Sequence, residues 1–121
     1  MVVHSKDGLD ELSIADDTYV AELKNGVVST YTVNPTDVGL SLGNLNDIAA
    51  DGADDSLAMI KDAFAGKEGA AKDIVALNAG AAIYVSGLAD SLKTGVEKAN
   101  QILSNGGAQS KLEEYATASN Q

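Results

Sequence analysis

Apolar and polar positions change their period near the middle of this 121-residue chain, from alternation with β-branched residues before Pro35 to helical spacing after about Asp47. Thr18 to Leu23 and Val27 to Val33 read as two strands separated by Lys24-Asn25-Gly26. Asn-Gly supplies the positive φ angles that a tight hairpin needs, so the spacing predicts a β-hairpin. On its second strand Val27, Tyr31 and Val33 share one face with Ser29, while Val28, Thr30 and Thr32 share the other. Asn34-Pro35 ends it. Val2 and Val3 suggest a short buried strand that leads into an irregular acidic stretch, Ser5 to Asp17, interrupted by Leu9, Leu12 and Ile14.

The second half repeats helix signals. Asp54 or Asp55 is placed to cap a helix carrying Leu57, Ile60 and Phe64, which Gly66 closes. After a turn over Lys67 to Ala71, the residues from Asp73 onward place Ile74, Leu77, Ala81 and Val85 on one stripe, with alanines beside it, and Gly87 breaks that helix. Leu92, Val96, Ala99 and Leu103 form a third stripe ended by Gly106-Gly107, and Leu112 with Tyr115 suggests a short fourth helix. The expected architecture is α/β, one segment over residues 1–121, strand-rich over 1–46 and helical over 47–121, with about four helices.

A chain of this length can bury more than roughly 60% of its extended surface, enough for a core without staples. It has no cysteine, which removes disulfides, thiolate metal sites and thiol nucleophiles. Eight Lys plus Arg against eighteen Asp plus Glu leave a net charge of −10, which opposes nucleic acid and anionic membranes as partners. Neither a signal peptide nor a long apolar run is legible, so a soluble, cytoplasmic protein is expected. Apolar positions are mostly small or aliphatic, with four Tyr, one Phe and no Trp, which implies close packing of backbones.

Candidate chemistry begins at Gly8-Leu9-Asp10-Glu11, where two adjacent carboxylates follow a glycine on a loop leaving a strand. Such a pair can coordinate Mg²⁺, a hard cation commonly shared with substrate phosphates. In an acidic chain such a pair is more often a solvated loop or an N-cap region before Leu12, and spacing alone favours that reading over the metal. His4 is the only histidine, and with Ser5 or Ser13 it would have to build any serine triad, but no Gly-x-Ser-x-Gly elbow is present. Asp51, Asp54 and Asp55 lack the spacing of an EF-hand and read as helix capping. No glycine-rich phosphate loop occurs. Asn78 is a polar residue inside an apolar helix, placed either to bond a neighbouring loop or to point into a site. No residue is singled out as catalytic or as substrate-binding.

Val2-Val3-His4, the stretch Gly8-Leu9-Asp10-Glu11-Leu12-Ser13, Asn34 to Leu40, Asp73 to Ala81, Ser91 to Val96 and Ser104 to Ala108 together resemble, in order and spacing, the C-terminal part of anthranilate phosphoribosyltransferases. The resemblance implies the phosphoribosyltransferase/nucleoside phosphorylase fold, with the opening strand joining a mostly parallel sheet. It also implies transfer of phosphoribose from phosphoribosyl pyrophosphate to anthranilate in tryptophan biosynthesis, assisted by Mg²⁺. By matching position Asp10 and Glu11 correspond to the family's acidic pair that holds the ion near the pyrophosphate.

The family's Gly-Thr-Gly-Gly-Asp phosphate loop, its anthranilate contacts and its helical dimerisation domain precede the matched region. The expectation is therefore a segment inactive alone, with an exposed strand edge and helix face that favour self-association into a homo-oligomer. Ser5 stands where the family commonly has Gly, and Ser56 where it commonly has Asn. Two alternatives accompany this reading: a stand-alone, non-catalytic module of the same fold acting in self-association or protein binding, and a fragment of a related nucleoside phosphorylase.

Overall fold

The computed structural model describes residues 1–120. Strands β1 (Val2–Ser5), β2 (Thr18–Lys24) and β3 (Val27–Val33) are followed by two 3₁₀ turns, Pro35–Val38 and Leu45–Ile48. Helices α1 (Ala53–Phe64), α2 (Ala70–Val85), α3 (Leu92–Ser104) and α4 (Gly107–Ser119) complete the chain. The three strands form an antiparallel sheet in the order β1-β2-β3. The hairpin is as expected: Lys24 pairs with Val27, and Asn25 and Gly26 take φ of 52° and 78°, the double positive φ of a two-residue turn.

Several sequence expectations need correction. Val2 and Val3 do lie on a strand, but β1 pairs only with β2 among the described residues, so Val2 is exposed and Val3 half-buried. The alternation along β3 is not expressed as burial, because only Val33 reaches the core while Val27, Val28 and Tyr31 project with the hairpin into solvent. Helix α1 is capped by the backbone of Gly52 rather than by Asp54 or Asp55, which sit in its first turn and favour its positive end; Leu57 and Ile60 are largely exposed. Val85 is exposed because the last turn of α2 overhangs the core, and Gly107 opens α4 instead of ending α3.

Leu12, Ile14, Val20, Val33, Val38, Ile74, Leu77, Val96 and Leu103 belong to one hydrophobic cluster, so the irregular acidic loop contributes two of its most deeply buried side chains. The hairpin is tied to α2 at its rim. Glu22 accepts hydrogen bonds from the hydroxyls of Tyr84 (2.7 Å) and Tyr31 (2.8 Å), and Lys24 Nζ donates to Tyr84 Oη at 3.1 Å. Beyond β3, Asn34 and Asp37 form a reciprocal capping box on the first 3₁₀ turn.

Helices α2 and α3 touch backbone to backbone. A Cβ on Gly95 would lie 2.2 Å from the carbonyl oxygen of Gly80, and one on Gly80 would lie 2.6 Å from Cα of Val96. Only paired glycines allow this approach, which seats Val96 and Ala99 against Leu77 and Ala81 in the core. Gly95→Ala must push a main chain aside, since the obstructing atom is a backbone oxygen. Urea denaturation should show a loss of about 3 kcal/mol. A variant within about 0.5 kcal/mol of the parent would contradict the close crossing.

Candidate functional site

The loop between β1 and β2 is built by its own short polar side chains. Gly8 turns the chain at φ 96°, a conformation that L side chains rarely adopt. Asp7 Oδ1 accepts the Leu9 N–H at 3.2 Å, Ser5 N–H donates to the Leu9 carbonyl at 3.1 Å, and Ser13 Oγ donates to Asp7 Oδ2. Farther along, Ser13 N–H donates to Thr18 Oγ1 at 3.1 Å and Ala15 N–H to Ser13 Oγ at 2.9 Å. Asp17 closes the base of the loop with Lys6 Nζ at 2.6 Å and Asn34 Nδ2 at 2.9 Å. These two partners hold the Asp17 carboxyl below the usual range.

Leu12 is held from the other direction. Asn78 Oδ1 accepts the Leu12 N–H at 2.9 Å, and Asn78 Nδ2 donates to the Leu12 carbonyl at 2.9 Å and to the Ile74 carbonyl at 3.1 Å. Of the two readings open for Asn78, the structure selects the loop contact. The Leu12 side chain is meanwhile fully buried.

Asp10 and Glu11 therefore project between two fixed residues. Both are exposed, and among the described residues neither carboxylate has a hydrogen bond or an ion pair. Glu11 lines an open groove of about 510 Å³ whose walls include Ser56, Met59, Ile60, Ile74 and Asn78. Partial desolvation there, reinforced by the negative charge of Asp10, raises the Glu11 pKa. Asp7 behaves oppositely: desolvation pushes its pKa up, but hydrogen bonds from the Ser13 hydroxyl and the Leu9 N–H outweigh that and hold it below the ordinary value. The carboxylate that anchors the loop is thus committed, and the two that point outward are free.

The other candidates fall elsewhere. His4 is exposed on β1, opposite Tyr19, while Ser5 Oγ donates to the Asp17 carbonyl at 3.3 Å and Ser13 Oγ to Asp7. Asp51, Asp54 and Asp55 gather at the start of α1, where Asp55 Oδ2 accepts the Asp51 N–H at 3.0 Å. Among the described residues no group of three metal-ligating side chains occurs. Two free, mutually repelling carboxylates still fit part of an octahedral Mg²⁺ shell, since that ion is commonly held by one or two carboxylates and completed by water and phosphate oxygens. Sequence reasoning missed Asp7; the signal available was Asp7-Gly8-Leu9, an Asp that can bond the backbone two residues on.

The family model described as "Glycosyl transferase family, a/b domain" matches residues 1–109. The chain belongs to this family. It is 64% identical over 119 residues to an anthranilate phosphoribosyltransferase of Ruthia magnifica, covering 98% of this chain and 35% of that protein. Among solved structures, the anthranilate phosphoribosyltransferase of Thermus thermophilus superposes with a TM-score of 0.85 at 35% identity, covering 95% of this chain and 34% of that one. The Saccharomyces cerevisiae enzyme, described in complex with PRPP and Mg, shares the fold at a TM-score of 0.78 and 24% identity, over 92% of this chain and 32% of its own. The chain thus spans about a third of the length of its relatives. Ser5 is buried and bonded to the Asp17 carbonyl, and Ser56 lines the groove beside Glu11.

Because the folded-state pKa of Glu11 is raised, its contribution to stability is full below the unfolded value and is lost as pH rises through the folded one. Carbon-detected NMR titration should show Glu11 titrating above an ordinary glutamate, and Asp10→Asn should lower it only part of the way, because desolvation in the groove is the larger cause. A Glu11 that titrates at or below the ordinary value would contradict its partial desolvation in the groove beside Asp10.

Proposed function

We propose that this chain is one segment of a cytoplasmic anthranilate phosphoribosyltransferase and supplies the carboxylates for its pyrophosphate-side Mg²⁺. The observation that carries the reading is the pair Asp10 and Glu11, unpaired and exposed between residues whose backbones are fixed by Asp7 on one side and Asn78 on the other. It draws support from the similarity to anthranilate phosphoribosyltransferases over nearly the whole chain.

Displacement at the sugar carbon breaks the bond to pyrophosphate and forms one to the amine of anthranilate. When bound, the cation would neutralise charge gathering on the departing oxygens, which lowers the barrier without a protein nucleophile. Asp10 and Glu11 offer it oxygen ligands at fixed places, and binding relieves the repulsion between them. The Leu9 and Leu12 anchors fix the backbone on either side of the two residues. The chain has no glycine-rich phosphate loop, so orientation of the sugar and of anthranilate falls to the remaining length of the enzyme, and this segment does not turn over alone. A second reading, the non-catalytic module that self-associates or binds a protein, draws on the exposed Val2, Leu23, Val27 and Val28 of the sheet.

Grafting these 121 residues in place of the matching third of the Ruthia magnifica relative tests the reading. The chimera should consume anthranilate, followed by the loss of its fluorescence in the presence of PRPP and Mg²⁺, whereas the segment alone should not. Asp10→Asn and Glu11→Gln should each lower kcat/KM about a hundredfold, equivalent to about 2.7 kcal/mol. Full activity in the double variant would overturn the metal role. An inactive chimera, with a discrete homo-oligomer of the segment by native mass spectrometry, would favour the module.

A further inference from the structure

We infer that Asn78 is a positioning residue for the Asp10–Glu11 pair, acting from α2 through the backbone of Leu12 on a loop 66 positions earlier in sequence. Its amide engages both hydrogen-bonding groups of Leu12, the N–H and the carbonyl, while its second Nδ2 hydrogen goes to the Ile74 carbonyl of its own helix. The side chain can therefore neither rotate nor flip without losing all three bonds. Leu12 follows Glu11 directly, so its N–H belongs to the Glu11–Leu12 peptide, and fixing that peptide limits where the Glu11 side chain begins.

The upstream end is pinned independently. Leu9 donates its N–H to Asp7 and accepts from the Ser5 N–H, leaving two residues free between two clamps. Asn78 also lines the groove that Glu11 borders, so clamp and carboxylate share one surface. What the pair holds rests on the metal reading above; how the pair is held does not.

The experiment uses the 121-residue chain with Mn²⁺ as the probe, alone and with inorganic pyrophosphate, and follows paramagnetic broadening of the Asp10 and Glu11 amides. Asn78→Asp keeps an acceptor for the Leu12 N–H but turns the donor facing the Leu12 and Ile74 carbonyls into an acceptor. Asn78→Leu removes the clamp altogether. Leu103→Val, in the core on α3, serves as a destabilised control outside the loop. Each Asn78 variant should weaken Mn²⁺ binding at least about tenfold, as loss of a partner behind metal ligands does. Leu103→Val should leave it within about twofold. In Asn78→Asp, protonation below the pKa of the new carboxyl restores a donor, so order at the Leu12 amide should return toward the parent as pH falls.

If the Asn78 variants bind Mn²⁺ no more weakly than Leu103→Val does, the positioning role is overturned and the metal reading stands. If the parent shows no broadening at Asp10 and Glu11, the metal reading fails instead. Hydrogen exchange and amide relaxation then decide the clamp: mobility confined to residues 9–12 in the Asn78 variants supports it, and an unchanged loop or uniform loosening of the chain overturns it. Should Asn78→Leu fail to fold, Asn78→Asp and its pH response carry the test.

Discussion

The grip of the Asn78 amide on the main chain of Leu12 is the constraint on which the candidate site depends. A half-buried amide with satisfied bonds is only modestly stabilising in net terms, but leaving the Leu12 peptide groups unpaired at the edge of the core would cost more than the bonds contribute. The interaction joins two parts of the chain that no local preference brings together. It converts an irregular stretch with almost no repetitive backbone pairing into a fixed platform. Leu12 and Ile14 supply the apolar half of that attachment and Asn78 the polar half.

Asn78 can do this because α2 is itself held firmly. On one side Gly80 lets α3 approach until backbone meets backbone, and on another Ile74, Leu77 and Ala81 enter the core shared with the sheet. At its far end Tyr84 joins Glu22 of the hairpin. One helix therefore presents a close-packed face, a buried face and a single amide aimed at the acidic loop. The free carboxylates lie at the end of this chain of contacts and contribute nothing visible to the fold. A raised Glu11 pKa beside a lowered Asp7 pKa expresses that division: the anchoring acid is stabilised as an anion, and the outward one is not.

Much of the architecture was legible because its signals are local. Asn25-Gly26 dictates its turn by dihedral preference, and the stripe Leu92, Val96, Ala99, Leu103 needs only helical periodicity to declare its buried face. Asp10 and Glu11 were legible as candidates, though residue types alone could not tell a platform from a solvated loop. What remained hidden depends on tertiary placement. Val85 fits the apolar stripe of α2 yet is exposed, since where a helix leaves the core is set by its neighbours. Val27 and Val28 likewise alternate correctly on a hairpin that extends past the packed layer. The pairing of Asp7 with Ser13 was missed because the stretch carries several acids and only geometry shows which one turns inward.

The proposed cation-binding point is the acidic pair on the loop clamped by Asn78. The most direct measurement is a crystal structure of the chain with Mn²⁺ and inorganic pyrophosphate, with the ion located by its anomalous scattering. A peak is expected within coordination distance of both Asp10 and Glu11, with the Leu12 main chain still bonded to Asn78. A peak at the acids of α1 instead, or an ordered loop with Leu12 detached from Asn78, would contradict it.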